Sequence, residues 1–251
     1  MKARGVPLGY VEGLNDARTP LADFINSLLV DFASPRLYHT QAQERKFSRI
    51  ERRISTVFET QTMLYSDFNC PFCYAMHERL HELNVISRCE WRGVQHAPHL
   101  PIPMKPWQGT LGAELRHEVT VVERLAPGLP IALPPGKPNT KPAIEQAAVL
   151  LRRDRTQGMA FVRETYRAFW CDGRDISDPV VLKQLADQTG AATENIGAID
   201  EESCQMGRAW ESAWHRTGQA GVPLLVSPER ELLVGCVPIE QVRQFFDQGG
   251  A

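Results

Sequence analysis

The sequence predicts an α/β fold in which a β-α-β unit and a β-β-α unit flank a long helical block. Two strand-like runs, Thr62-Met63-Leu64-Tyr65-Ser66 and Arg88-Cys89-Glu90-Trp91-Arg92, enclose a helix that opens at Pro71. That alternation favours a parallel pair joined by a right-handed crossover. Helical periodicity dominates the middle of the chain, and strand-like runs at 222–226 and 231–234 precede a closing helix marked by Ile239, Val242 and Phe246.

Each element has a local reason. Residues 1–18 carry no period. Thr19-Pro20 then reads as a cap and a first-turn proline, followed by Leu21, Phe24, Ile25, Leu28, Leu29 and Phe32 on one helical face. This stripe is expected to pack on the main domain; a homodimer contact is the sharper alternative. The basic run at 44–53 reads as a solvated helix face. In the helix after Pro71, Met76, Leu80 and Leu83 are the apolar positions. Prolines break residues 97–142 into extended pieces around one helix over 111–125. Ile144, Ala147, Ala148 and Leu151 make the next stripe, and Phe161, Thr165, Ala168 and Phe169 another. Asp178-Pro179 starts a further helix, and Trp210 and Trp214 sit one turn apart on yet another. These changes of character divide the chain at 1–59, 60–95, 96–218 and 219–251.

Composition narrows the function classes. The 251 residues are 43% hydrophobic and 23% charged, with 28 Lys+Arg against 30 Asp+Glu. That balance excludes a broadly basic nucleic-acid binder and a disordered polyelectrolyte. No apolar run approaches the ~18–20 residues of a membrane span. No apolar signal core follows Met1-Lys2-Ala3-Arg4-Gly5. A cytoplasmic protein without nucleic-acid or membrane partners is expected.

Of the six cysteines, only Cys70 and Cys73 are close in sequence; Cys89, Cys171, Cys204 and Cys236 read as small buried hydrophobes. Cys70-Pro71-Phe72-Cys73 lies where the first strand passes into its helix. Cysteines at i and i+3 of a first helical turn can approach within disulfide range. Pro71 stands where a helix start tolerates proline. Cys70 at the positive end of the helix dipole favours thiolate over thiol, and Cys73, one turn in, should be the more buried partner. A zinc site is the competing reading of a CxxC, with His77, His81, His96 and His99 as candidate co-ligands. A CxxC opening a helix in a β-α-β pattern favours redox chemistry, and no metal is expected. His77 and His81 are expected on an exposed helix face, with His77 a candidate to tune the thiols. Asp67, if ionised nearby, would oppose a Cys70 thiolate; a surface or loop-capping place is its other reading.

Asp67-Phe68-Asn69-Cys70-Pro71-Phe72-Cys73-Tyr74 resembles the active-site stretch of the DsbA-like thioredoxin-fold family, especially its FrnE-type branch, which is related to 2-hydroxychromene-2-carboxylate isomerase. Pro138-Asn139-Thr140, Tyr166-Arg167-Ala168-Phe169-Trp170, Gly173-Arg174-Asp175-Ile176-Ser177-Asp178 and Gly221-Val222-Pro223 resemble further family segments in the same order, so the likeness covers about residues 60–247. The resemblance implies a thioredoxin fold with a large helical insertion: core halves at 60–95 and 219–251, an insertion at 96–218, and an N-terminal, partly helical extension at 1–59. It also implies a cis bond between Val222 and Pro223 facing the cysteines, with Val222 backbone groups free to pair with an extended substrate.

The function expected is thiol–disulfide exchange, with Cys70 as nucleophile, Cys73 as resolving thiol, and Pro71, Phe72, Val222 and Pro223 at the substrate. The partner would be a protein disulfide or thiol, or glutathione as redox partner, with no bound cofactor. The alternative is a glutathione-dependent isomerase or transferase for a small aromatic molecule. A sister group of that kind carries Ser at the first motif position, where this chain has Cys70. Trp91, Trp107, Phe169, Trp170, Trp210 and Trp214 are its candidate pocket lining, although core packing is the plainer reading. A non-catalytic dithiol that senses oxidants is a third possibility.

Overall fold

The computed structural model describes residues 61–190 and 199–248. The candidate helix after Thr19-Pro20, the basic run at 44–53 and the extension at 1–59 lie outside them.

A four-stranded mixed sheet, ordered β2-β1-β3-β4, is assembled from both ends of the described chain. β1 (Thr62–Ser66) pairs parallel with β2 (Cys89–Gly93), with Thr62 opposite Cys89 and Ser66 opposite Gly93. β3 (Leu224–Val226) lies antiparallel on the other side of β1, and β4 (Leu232–Val234) forms the antiparallel edge. Between β1 and β2 run α1 (Pro71–Glu82) and a short 3₁₀ turn, Ile86–Arg88, which takes Arg88, the first residue of the run that the sequence reads as strand. β3 also begins later than the run at 222–226 suggests. Proline has no N–H for a ladder, so pairing starts after Pro223. The Val222–Pro223 peptide bond is cis.

Among the described residues, five helices separate the two halves of the sheet: α2 (Leu111–Leu125), α3 (Lys141–Arg153), α4 (Arg155–Trp170), α5 (Pro179–Gln188) and α6 (Glu201–Arg216). α7 (Ile239–Gln248) closes the chain. Asp154, Asp178 and Asp200 cap α4, α5 and α6 by accepting from the backbone N–H of Gln157, Val180 and Ser203. α3 and α4 meet closely at Gly158, where an added Cβ would lie 2.6 Å from the Leu151 backbone.

The helical block and the sheet share one core. Phe68, just after β1, lies between Trp91 of β2 and Tyr166 of α4, at ring distances of 5.1 and 4.9 Å. The Trp170 indole N–H donates to the Phe68 carbonyl at 2.9 Å. The loop carrying the cysteines is thereby tied to a helix about a hundred residues away in sequence. None of the helices among the described residues is long and apolar enough to cross a membrane.

Candidate functional site

The sharp turn from β1 into α1 positions the two cysteines. Cys70 has extended backbone angles and caps the helix: its carbonyl accepts from the N–H groups of Cys73 and Tyr74, at 3.1 and 3.2 Å. Pro71 follows at the first helical position. Both cysteines are free thiols; Cys70 is 6% exposed and Cys73 fully buried. The Cys70 thiol donates to the Val222 carbonyl over 3.7 Å. Phe72 and Val222 are half-buried beside this point and Pro223 is buried. The Gly235 N–H donates to the Pro223 carbonyl at 2.8 Å, which ties this loop to the end of β4.

The two thiols differ in acidity. Burial pushes the Cys70 pKa up, but the Cys73 hydrogen bond and the charges of His96 and Lys137 more than reverse it, leaving it below its ordinary value. Burial pushes Cys73 up as well, and the Cys70 hydrogen bond and charge add to the rise. Negative charge therefore collects on Cys70, the outer sulfur.

Asp67 departs from the expectation of a surface residue or an opponent of the thiolate. It is fully buried, and one carboxylate oxygen, Oδ2, accepts both from the His96 backbone N–H at 3.0 Å and from the His96 ring Nδ1 at 2.6 Å. Burial raises the Asp67 pKa, and the His96 hydrogen bond and charge bring it below the ordinary range. Burial lowers His96, while Asp67 and then Cys70 raise it above its ordinary value. The carboxylate that would oppose a Cys70 thiolate is thus paired with a histidine whose protonated form it favours.

His96 and Lys137 enter the site without having been singled out for this role. A signal was available for His96. Parallel strands in register send their following loops out at one edge of the sheet, so the residues just after Ser66 and Gly93 must meet. The Val94 N–H donates to the Ser66 carbonyl at 3.0 Å there.

The other histidines are placed differently from the reading of an exposed α1 face. His77 is fully buried against the Tyr166 ring, 5.1 Å between centroids, because this side of α1 packs on α4. Burial holds its pKa down, and holds half-buried His81 down to about 4. His99 is exposed. Among the described residues no group of three His, Cys, Asp or Glu side chains is placed to hold a metal ion. Cys89 is buried as expected, whereas Cys171, Cys204 and Cys236 are only half-buried.

The tryptophans are packed into the protein to different depths. Trp91, Phe169 and Trp170 are fully buried, Trp210 and Trp214 nearly so, and Trp107 is half-buried with its indole N–H on the Pro134 carbonyl. A cavity of about 800 Å³ runs along the outer part of α1 past Ala75, Glu82 and Arg163, and neither motif cysteine nor any of these six aromatics lines it.

Comparison with known proteins places this geometry in context. The model of a DSBA-like thioredoxin domain matches residues 62–247. No curated protein matches the chain. Similar solved structures include a probable DsbA oxidoreductase from Streptomyces coelicolor, at 21% identity and a TM-score of 0.62, over 75% of this chain and 89% of that one. The cytosolic disulfide reductase DsbM from Pseudomonas aeruginosa, solved with GSH, aligns at 21% identity and a TM-score of 0.56, over 75% and 98%. A 2-hydroxychromene-2-carboxylate isomerase aligns at 16% identity and a TM-score of 0.57, over 75% and 94%.

Proposed function

Because the chain belongs to the DSBA-like thioredoxin domain family, we propose that it is a thiol–disulfide oxidoreductase in which Cys70 is the nucleophile and Cys73 the resolving thiol. One observation carries the reading: two free cysteines share the first turn of α1, with their acidities split in opposite directions.

The Cys70 thiolate attacks one sulfur of a substrate disulfide. A Cys70–substrate S–S bond forms, the substrate S–S bond breaks, and the departing thiolate takes a proton from solvent. Cys73 then loses its proton and attacks the Cys70 sulfur. The mixed disulfide breaks, the second substrate thiolate leaves, and Cys70–Cys73 is the new disulfide. The substrate gains two electrons and the protein loses them; the reverse sequence oxidises a dithiol. Phe72, Val222 and Pro223 border Cys70, and the Val222 backbone would pair with an extended peptide or with glutathione. The FrnE-type branch is the placement that the CPFC motif favours.

Insulin reduction with dithiothreitol tests the reading. Wild type accelerates precipitation of the insulin chains and Cys70→Ser does not. Cys73→Ser accumulates a mixed disulfide visible in the intact mass. Isomerisation of 2-hydroxychromene-2-carboxylate with glutathione that survives Cys73→Ser, without insulin reduction by wild type, would replace this reading with the isomerase.

A further inference from the structure

We propose that His96, clamped by Asp67, is a positioning residue that holds Cys70 as a thiolate and biases the dithiol toward the reduced form, making the protein an oxidant of substrate thiols. The proposal rests on the redox reading above and adds its direction.

Asp67 joins the parts. Its backbone carbonyl accepts from the Cys70 N–H at 3.2 Å, and its own N–H donates to Cys73 Sγ at 3.4 Å. Its side chain makes both bonds to His96 through a single oxygen. With Nδ1 and the backbone of His96 both fixed on Asp67, the ring has little freedom to turn, and its Nε2 lies 3.4 Å from Lys137 Nζ. The His96 side chain is 29% exposed, so it exchanges protons with solvent while its partner carboxylate is fully buried.

The local charge balance follows. A buried carboxylate this close to the dithiol would by itself disfavour a second negative charge. Protonated His96 cancels it; half-buried Lys137, from the segment before α3, adds positive charge toward Cys70 but, lying against Nε2, opposes the His96 protonation that Asp67 and Cys70 favour. Four charged or titratable groups therefore face His96 or its anchor: Asp67 from the β1–α1 loop, Cys70 at the cap of α1, Lys137, and Glu211 from α6. Glu211 faces Asp67, and burial, with a smaller push from the Asp67 charge, raises its pKa above the ordinary value. The remaining positive potential falls on Cys70, whose charge in turn favours protonated His96. In the disulfide form Cys70 carries no charge and this stabilisation is lost. The reduced state gains, so the equilibrium with glutathione moves toward an oxidising protein.

The test uses the full chain. The thiolate absorbance at 240 nm is titrated in wild type, His96→Gln and His96→Lys, with circular dichroism confirming that each variant is folded. In His96→Gln the Cys70 midpoint rises, and iodoacetamide reacts with Cys70 about ten-fold or more slowly below that midpoint. The equilibrium constant against glutathione moves toward a reducing protein. His96→Lys, which keeps a cation, recovers part of each change, as loss of packing alone would not. An unchanged midpoint and equilibrium in folded His96→Gln overturn the proposal. Insulin reduction by wild type, lost in Cys70→Ser, is scored separately. If it is present while the midpoint stays fixed, only this inference falls. If it is absent while the midpoint moves, the clamp stands and the redox reading falls.

Discussion

Ser66 Oγ and the Tyr166 hydroxyl lie 2.6 Å apart and are both fully shielded from solvent. This bond joins the last residue of β1 to the C-terminal half of α4, immediately before the turn that carries Asp67 and Cys70 into α1. Tyr166→Phe removes one partner and leaves the Ser66 hydroxyl buried without it. Unfolding in urea should show a loss of about 1–3 kcal/mol. Ser66→Ala in the Tyr166→Phe background should cost less than in wild type, since the bond to Tyr166 is already lost there.

The Asp67–His96 pair predicts a stability window. The Asp67 pKa is lowered from 3.8 and the His96 pKa raised from 6.5 on folding. The Asp67 contribution is present above 3.8 and is lost as pH falls through its folded value. The His96 contribution is present below 6.5 and is lost as pH rises through its folded value. Asp67→Asn should therefore be most destabilised relative to wild type between pH 4 and 6, with a smaller difference on either side. Urea midpoints across that range check it; a difference independent of pH would show that the pair does not titrate as argued.

His77 acts in the opposite sense. Its burial as a neutral ring lowers its pKa from 6.5, so the unfolded chain takes up protons first and stability falls as pH drops below 6.5. His77→Phe keeps an aromatic ring against Tyr166 and removes the titration. Its melting temperature should fall less than that of wild type between pH 6.5 and 5.

Thiol reactivity should separate the cysteines. Burial pushes Cys89 up to about 12 and Cys236 up to about 11, the latter in spite of the nearby Arg79 charge. Alkylation of the reduced native protein at neutral pH, followed by peptide mass mapping, should label Cys70 well before Cys89 or Cys236. Equal rates for the three would remove the basis for an activated Cys70.

Gly158 is a packing constraint. A Cβ at this position would meet the Leu151 backbone, which cannot swing aside as a side-chain tip can. Gly158→Ala should destabilise the protein by about 1–3 kcal/mol in urea unfolding, through separation of α3 and α4.

Much of the architecture is legible in local pattern. The strand-favouring run at Thr62–Ser66, the proline at the head of α1, the helix over Leu111–Leu125 and the Asp178-Pro179 cap each describe a short-range physical preference, and short-range preferences survive without tertiary context. The dithiol was equally legible, because both cysteines belong to one helical turn. Strand limits were less so. Whether a residue such as Val222 pairs or points its carbonyl at Cys70 depends on what lies beside it.

The sequence by itself determined the order of elements and the location of the reactive sulfurs, since both arise from residues within a few positions of each other. Only the tertiary structure decided the electrostatic character of the site. Asp67 and His96 are 29 residues apart, and their meeting depends on two strands lying parallel and in register. A carboxylate reads as hostile to a thiolate when its partner is unknown and as a support once a histidine is fixed upon it. Burial then decides how strongly each charge is felt, because low dielectric and absent water are properties of the packed whole.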